Sequence, residues 1–221
     1  MRAVSNHLQD YLAATDVIDW QHPAVRDASS DIVAGQCDEV EKARCLFEWV
    51  RDHIPHSADI DADVVTCTAS EVLRHGTGIC YAKSHLLAAL LRAQHIPAGF
   101  CYQVLRRDAA SERMVLHGLN GVYLPSLGRW IRVDPRGNVG DIDAQFSLTE
   151  ERLAFPVEAQ HGEYTYAEIF AAPAAIVLEV LRGFRNRTVM WPHLPTCLGA
   201  TTPLPAVAAL EAHVSRVGTP P

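Results

Sequence analysis

The clearest chemical opportunity in this sequence is Cys80, which stands directly behind Gly76-Thr77-Gly78-Ile79 at the start of the run 80–94. A thiol becomes a nucleophile where its thiolate is favoured near neutral pH. The first turn of a helix favours it through unpaired N–H donors and the positive end of the helix dipole. The two glycines let the backbone turn sharply ahead of the sulfur, so that it can face a cleft although its helix is buried. A thiol of this kind needs a base. His117 lies in Met114-Val115-Leu116-His117-Gly118-Leu119, where strand alternation groups it with Val115 and Leu119. Asp134 ends Trp130-Ile131-Arg132-Val133-Asp134 just before Pro135, a residue that stops a strand. Two antiparallel strands joined by the turn 125–128 can set His117 and Asp134 side by side. The carboxylate then fixes one imidazole tautomer and leaves the other nitrogen to take the thiol proton. Each residue also has a plainer reading on its own: a small buried cysteine, a hydrogen-bonded core histidine, a turn aspartate. Cys on a buried helix followed by His and Asp on successive strands is much harder to reach by chance.

The elements that must carry these residues are read from periodicity. Segments 6–14 and 24–33 are expected as short amphipathic helices, and 38–53 as a longer one with Asp38 as its cap and Pro55 as its stop. Thr68-Ala69-Ser70-Glu71 has the order of a capping box, opening a short helix that Gly76 breaks. Leu86, Leu87, Ala88, Ala89, Leu90 and Leu91 make 80–94 apolar round most of its cylinder, which implies a buried helix. From Pro97 the pattern changes. Segments 98–105, 114–124 and 129–134 are short, rich in Val, Tyr, Phe and Ile, and read as antiparallel strands. Helices first and strands after imply an α+β fold, with N-terminal helices and one central buried helix packed on an antiparallel sheet. A further helix is expected over 173–184. Residues 1–184 are expected to form the catalytic domain. Residues 185–221 are expected as a Pro-rich extension through Pro192, Pro195, Pro203 and Pro205 with a short amphipathic helix at 206–217.

Composition narrows the partners. A formal charge of −7 and a pI near 5.8 give no basic field for phosphates, so nucleic acid is not expected. No apolar run reaches the roughly 18 residues that span a bilayer, so no membrane partner is expected. The mixed polarity of residues 1–10 does not resemble a secretion signal, and a cytoplasmic location is expected. Six cysteines, at 37, 45, 67, 80, 101 and 197, are too sparse and irregular for a disulfide framework. His53, His56, Cys67 and His75 match no compact zinc spacing. Asp59, Asp61 and Asp63 mimic the opening of a calcium loop but lack its Gly and its bidentate Glu, and read as a solvated acidic loop. No metal and no cofactor is expected.

The stretches 70–80 and 86–98, His117, and Trp130 to Pro135 together resemble the transglutaminase-like core, a resemblance covering about a third of the chain. It implies a papain-like α+β fold, a Cys-His-Asp triad on Cys80, His117 and Asp134, and a thioester intermediate attacked by an amine or by water. Family members often carry a small residue and then Trp after the histidine, and Thr after Asp-Pro. This chain has Gly118-Leu119 and Arg136 there. The expected activity is that of a cysteine hydrolase or acyltransferase acting on a peptide, protein or small amide, with protease or amidase action placed ahead of cross-linking. The alternatives are a binding module that keeps the fold without turnover, and transfer from a thioester donor as in arylamine acetyltransferases. The backbone N–H of Cys80 is the first oxyanion donor in this reading. Gln103 and Tyr102 are candidates for the second, and Arg136 for a substrate carboxylate.

Overall fold

The computed structural model describes residues 1–108 and 112–199. Four helices come first: α1 Pro23–Ile32, α2 Glu39–His53, α3 Ala69–His75 and α4 Cys80–Ala93. Asp38 caps α2 by accepting from the N–H groups of Val40 and Glu41 at 2.9 and 3.1 Å. The capping box of α3 is complete. Thr68 Oγ1 accepts from Glu71 N–H at 3.1 Å, and the Glu71 carboxylate accepts from Thr68 N–H at 3.1 Å. Gly76 then takes a left-handed conformation, φ 64°, and ends the helix. These side-chain partners satisfy amides that a helix start leaves without a carbonyl.

Every side chain from Tyr81 to Arg92 of α4 is buried, as a helix apolar on nearly all sides requires. It packs on β2 Ala98–Arg106 and β3 Met114–Leu124, which pair antiparallel with Gln103 opposite His117. β4 Arg129–Val133 pairs with β3, Val133 opposite Asn120, and the two-residue β5 Tyr164–Thr165 lies on the far side of β2. The sheet order is therefore β4-β3-β2-β5, antiparallel throughout. This is the α+β arrangement expected from the sequence, helices packed on a curled antiparallel sheet. Asn120 joins helix to sheet, its Nδ2 donating to Ser84 O at 3.0 Å and Gly99 O at 3.2 Å. At the far end of α4 the buried Arg92 guanidinium donates to the carbonyls of Ala13, Ala98 and Ala171.

Three regions differ from the periodicity. Residues 6–14 hold only a 3-10 turn, Leu8–Tyr11, because the segment serves to bury Tyr11, whose hydroxyl donates to Ile169 O at 2.9 Å. Beside it β1 Arg2–Ala3 pairs parallel with β6 Glu168–Ile169, two strands too short to show any period. The expected helix at 173–184 is α5 Ala175–Gly183. After it, α6 Arg187–Met190 and the 3-10 turn Trp191–His193 lie on the domain, with Met190 buried and Leu116 N–H donating to Pro195 O at 2.7 Å. The helix expected at 206–217 lies outside the described residues. No helix among the described residues is long and apolar enough to cross a membrane.

Candidate active site

Cys80 is the first residue of α4 and is half-buried. The turn before it is pinned on two sides. Ser57 N–H donates to Gly78 O at 3.1 Å, and Thr66 Oγ1 donates to Thr77 O at 3.1 Å. A Cβ at Gly78 would stand 3.0 Å from both Ala82 Cβ and Thr66 Oγ1, so the turn lies too close to its own helix for a larger residue. The next residue, Tyr81, lies over Gly118 of β3, where a Cβ would come within 2.7 Å of its ring, and its hydroxyl donates to Leu116 O. This contact brings the head of α4 down onto the strand that carries His117.

His117 and Asp134 meet because β4 ends opposite Asn120, three residues along from His117, and the chain continues directly into Asp134. His117 Nε2 lies 2.8 Å from Asp134 Oδ2. The carboxylate is fully buried and accepts two further bonds at 3.1 Å, from Arg136 N–H to Oδ1 and from Ala154 N–H to Oδ2. Burial opposes its ionisation, yet His117 and these amides hold it below the usual carboxylate range. The imidazole proton on Nε2 is thereby committed to Asp134, and the remaining nitrogen is Nδ1. Cys80 lines the same cleft as the ring, and its sulfur acts on the imidazole electrostatically. Burial works against a charge on His117, but the Asp134 carboxylate and the Cys80 sulfur outweigh it and raise the imidazole to about 10. The ring edge of Phe155 packs against the imidazole at 5.1 Å between centroids.

Cys80 and His117 open on a cleft of about 490 Å³, lined also by His56, Phe155, Trp191 and Leu194. Its walls are mostly apolar, as is usual where a ligand must be desolvated.

The other residues singled out from the sequence sit elsewhere or are already engaged. Gln103 does not line this cleft. Its Nε2 donates to Phe155 O at 3.2 Å and Thr165 Oγ1 at 3.1 Å, so it steadies the segment bearing Phe155. Tyr102 also lies outside, its hydroxyl accepting from Ala174 N–H at 2.9 Å. A buried hydrogen-bonding side chain on an inner strand is held by nearby backbone, which removes both as oxyanion donors. Arg136 does line the cleft, but its fork is taken by Asp59 at 2.5 and 2.7 Å, so a substrate carboxylate would have to displace that partner. The acidic loop is not merely solvated. Asp59 pairs with Arg136, Asp61 with Arg187 at 2.6 Å, and Asp63 accepts from Asn186 and Thr188. His56, Phe155, Trp191 and Leu194 reach the cleft from loops and from the C-terminal segment, where no periodicity signals them. Among the described residues no group of three or more His, Cys, Asp or Glu is placed to hold a metal ion.

Comparison with known proteins gives the same frame. The sequence model of the transglutaminase-like superfamily matches residues 26–135. A segment of the human glucosylceramide transporter ABCA12 is 24% identical over 174 residues, 69% of this chain and 7% of that protein. The structure of a candidate cysteine protease from Cytophaga hutchinsonii superposes with a TM-score of 0.50 at 16% identity, covering 60% of this chain and 43% of the other. A candidate protease from Parabacteroides distasonis gives a TM-score of 0.39 at 14% identity, covering 68% and 30%. The chain thus spans a small part of the curated relative and less than half of each solved structure. The structural likeness speaks to fold alone.

Proposed function

The chain belongs to the transglutaminase-like superfamily, and from that membership we propose that Cys80, His117 and Asp134 form the triad of a cysteine-dependent acyl-transfer enzyme acting on a peptide or amide. The observation that carries this reading is the 2.8 Å contact of His117 Nε2 with a fully buried Asp134, on a cleft that Cys80 and His117 line together.

In the resting site His117 is the imidazolium and Cys80 the thiolate, an ion pair supported by the first turn of α4. The thiolate attacks the carbonyl carbon, forming the C–S bond while the C=O electrons move onto oxygen. As the tetrahedral adduct collapses, the C–N bond breaks and the imidazolium gives its Nδ1 proton to the departing amine. The neutral imidazole then takes a proton from water, whose oxygen attacks the thioester. Collapse releases the carboxylic acid and restores thiolate and imidazolium. A primary amine in place of water would leave a new amide instead. Hydrolysis is placed first, in keeping with the cysteine-protease description of the Cytophaga hutchinsonii protein.

The test is mass spectrometry of mixed peptides and amines incubated with the native chain and with Cys80→Ala. Backbone scission adds the mass of water, an isopeptide link removes that of ammonia, and both vanish in the variant. Identical products from both proteins would end the proposal.

A further inference from the structure

The tetrahedral adduct formed in the proposed reaction carries its negative charge on oxygen, and one backbone N–H is a thin cradle for it. Cys80 N–H is the natural first donor, because no carbonyl of its own helix reaches the opening amides. Gln103 and Tyr102 lie outside the cleft, so the second donor must come from elsewhere. We infer that His56 is that donor, presenting a neutral Nε2–H to the oxyanion from the wall that borders Cys80.

Four observations converge on His56. It is 5% exposed and lines the same cleft as Cys80 and His117. Its backbone bridges to Gly78, two residues before the nucleophile, and Ser57 N–H bonds Gly78 O at 3.1 Å, so the two loops are locked together. Its tautomer is set by geometry. Ala58 N–H donates to Nδ1 at 3.2 Å, which occupies the lone pair there and leaves the proton of the neutral ring on Nε2. Nε2 has no hydrogen-bond partner among the described residues, although this is a deeply buried side chain. It is not one of the sealed unpartnered atoms, so this N–H is open to the cleft that the ring lines and is available to a ligand there.

The ring is also protected from becoming a second acid. Burial first, then the positive charges of Arg136, Lys83 and His117, hold it well below the usual imidazole range, with Asp134 acting weakly the other way. Trp191 packs edge-on against it at 6.3 Å between centroids and fixes the ring plane. A preorganised neutral donor costs no reorientation as charge develops. The histidine that fits no metal spacing in the sequence thus has a role of its own.

This inference rests on the thiol-enzyme reading, and the experiment separates the two. The probes are p-nitrophenyl acetate, which acylates a thiolate through a tetrahedral oxyanion and releases p-nitrophenolate, and iodoacetamide, which alkylates by displacement at a saturated carbon and forms none. His56→Phe keeps the ring against Trp191 and removes the donor, while His56→Gln restores an N–H. The expected result for His56→Phe is acylation slowed by roughly a hundred- to a thousandfold, alkylation of Cys80 at the native rate, and substantial recovery of acylation in His56→Gln. Should the Phe variant fail to fold, His56→Leu is read the same way. Acylation at the native rate in the donor-less variant, or equal losses of acylation and alkylation, overturns the assignment while the triad stands. Absence of any phenolate release by the native chain overturns both.

Discussion

Asp134 Oδ2 is shared between the imidazole of His117 at 2.8 Å and the amide of Ala154 at 3.1 Å, so the carboxylate proposed to orient the base is itself oriented by backbone. Replacing it with Asn keeps the volume but removes the charge and can turn a donor toward Nε2, forcing the imidazole proton onto the nitrogen that must face sulfur. Asp134→Asn is expected to lower acylation by roughly three to four orders of magnitude with the fold retained. Steady-state kinetics alongside circular dichroism checks this, and near-native turnover in a folded variant would contradict it.

His117 supplies a pH signature. Its imidazole, ordinarily near 6.5, is raised to about 10 in the fold. The folded state binds that proton more tightly, so the stabilisation is complete below about 6.5 and is lost as pH rises through about 10. Asp134, held below its ordinary 3.8, contributes above that value and loses its contribution as pH falls through its lower folded one. Denaturation midpoints of the native chain, corrected by those of His117→Ala, should therefore decline between neutral pH and pH about 10. A flat difference would argue against a charged ring.

Thiol reactivity should single out Cys80 from the interior cysteines. Burial raises Cys67, and it raises Cys101 to about 11, whereas Cys80 opens on the cleft. At pH about 7, iodoacetamide followed by peptide mapping should modify Cys80 well before Cys67 and Cys101. His117→Ala should slow it toward the rate of an unassisted thiol. Labelling that ignores the imidazole would remove the ion pair from the mechanism.

Gly118 is a steric hinge between chemistry and packing. Adding one methyl there places a carbon 2.7 Å from the Tyr81 ring, and the ring must lift, carrying the head of α4 away from His117. Gly118→Ala is expected to cost about 1–3 kcal/mol of stability through overpacking and a disproportionate share of activity. Thermal midpoint and kcat/KM measured together decide it, and activity falling no further than the folded fraction would sink the idea.

Lys83 is fully buried beside the site, and burial lowers its amine to about 7. Its Nζ donates to the carbonyls of Arg51, Ile54 and Arg136, tying α4 to the chain before His56 and to the turn after Asp134. Lys83→Met leaves those carbonyls without their donor and should destabilise by roughly 2–5 kcal/mol, read by urea denaturation. A loss below about 1 kcal/mol, the size of an average solvated hydrogen bond, would show that water replaces the amine.

The parts legible in the sequence were those fixed by short-range rules. Thr68 and Glu71 announce α3, the leucine run from Leu86 announces a buried helix, and the β-branched stretches announce β2 to β4. These elements suffice to set His117 and Asp134 on neighbouring positions. The sequence is silent where placement depends on pairing between distant loops. Arg136 finds Asp59 across 77 positions, Gln103 is consumed by the Phe155 and Thr165 segments, and Trp191 reaches the cleft from a stretch read as an appendage. The helix expected over 6–14 gave way to a turn because burying Tyr11 against β6 outweighed local amphipathicity.

The bond from Leu116 N–H to Pro195 O has a consequence for whatever approaches the cleft. β4 pairs only with the far half of β3, and alongside Leu116 the chain supplies its own backbone as a seam, while Tyr81 caps the carbonyl of the same residue. A guest peptide therefore cannot dock by zippering onto Leu116, as in strand-addition recognition. Trimming the chain ahead of Trp191 would unpick the seam, widen the trough and bare a sticky edge.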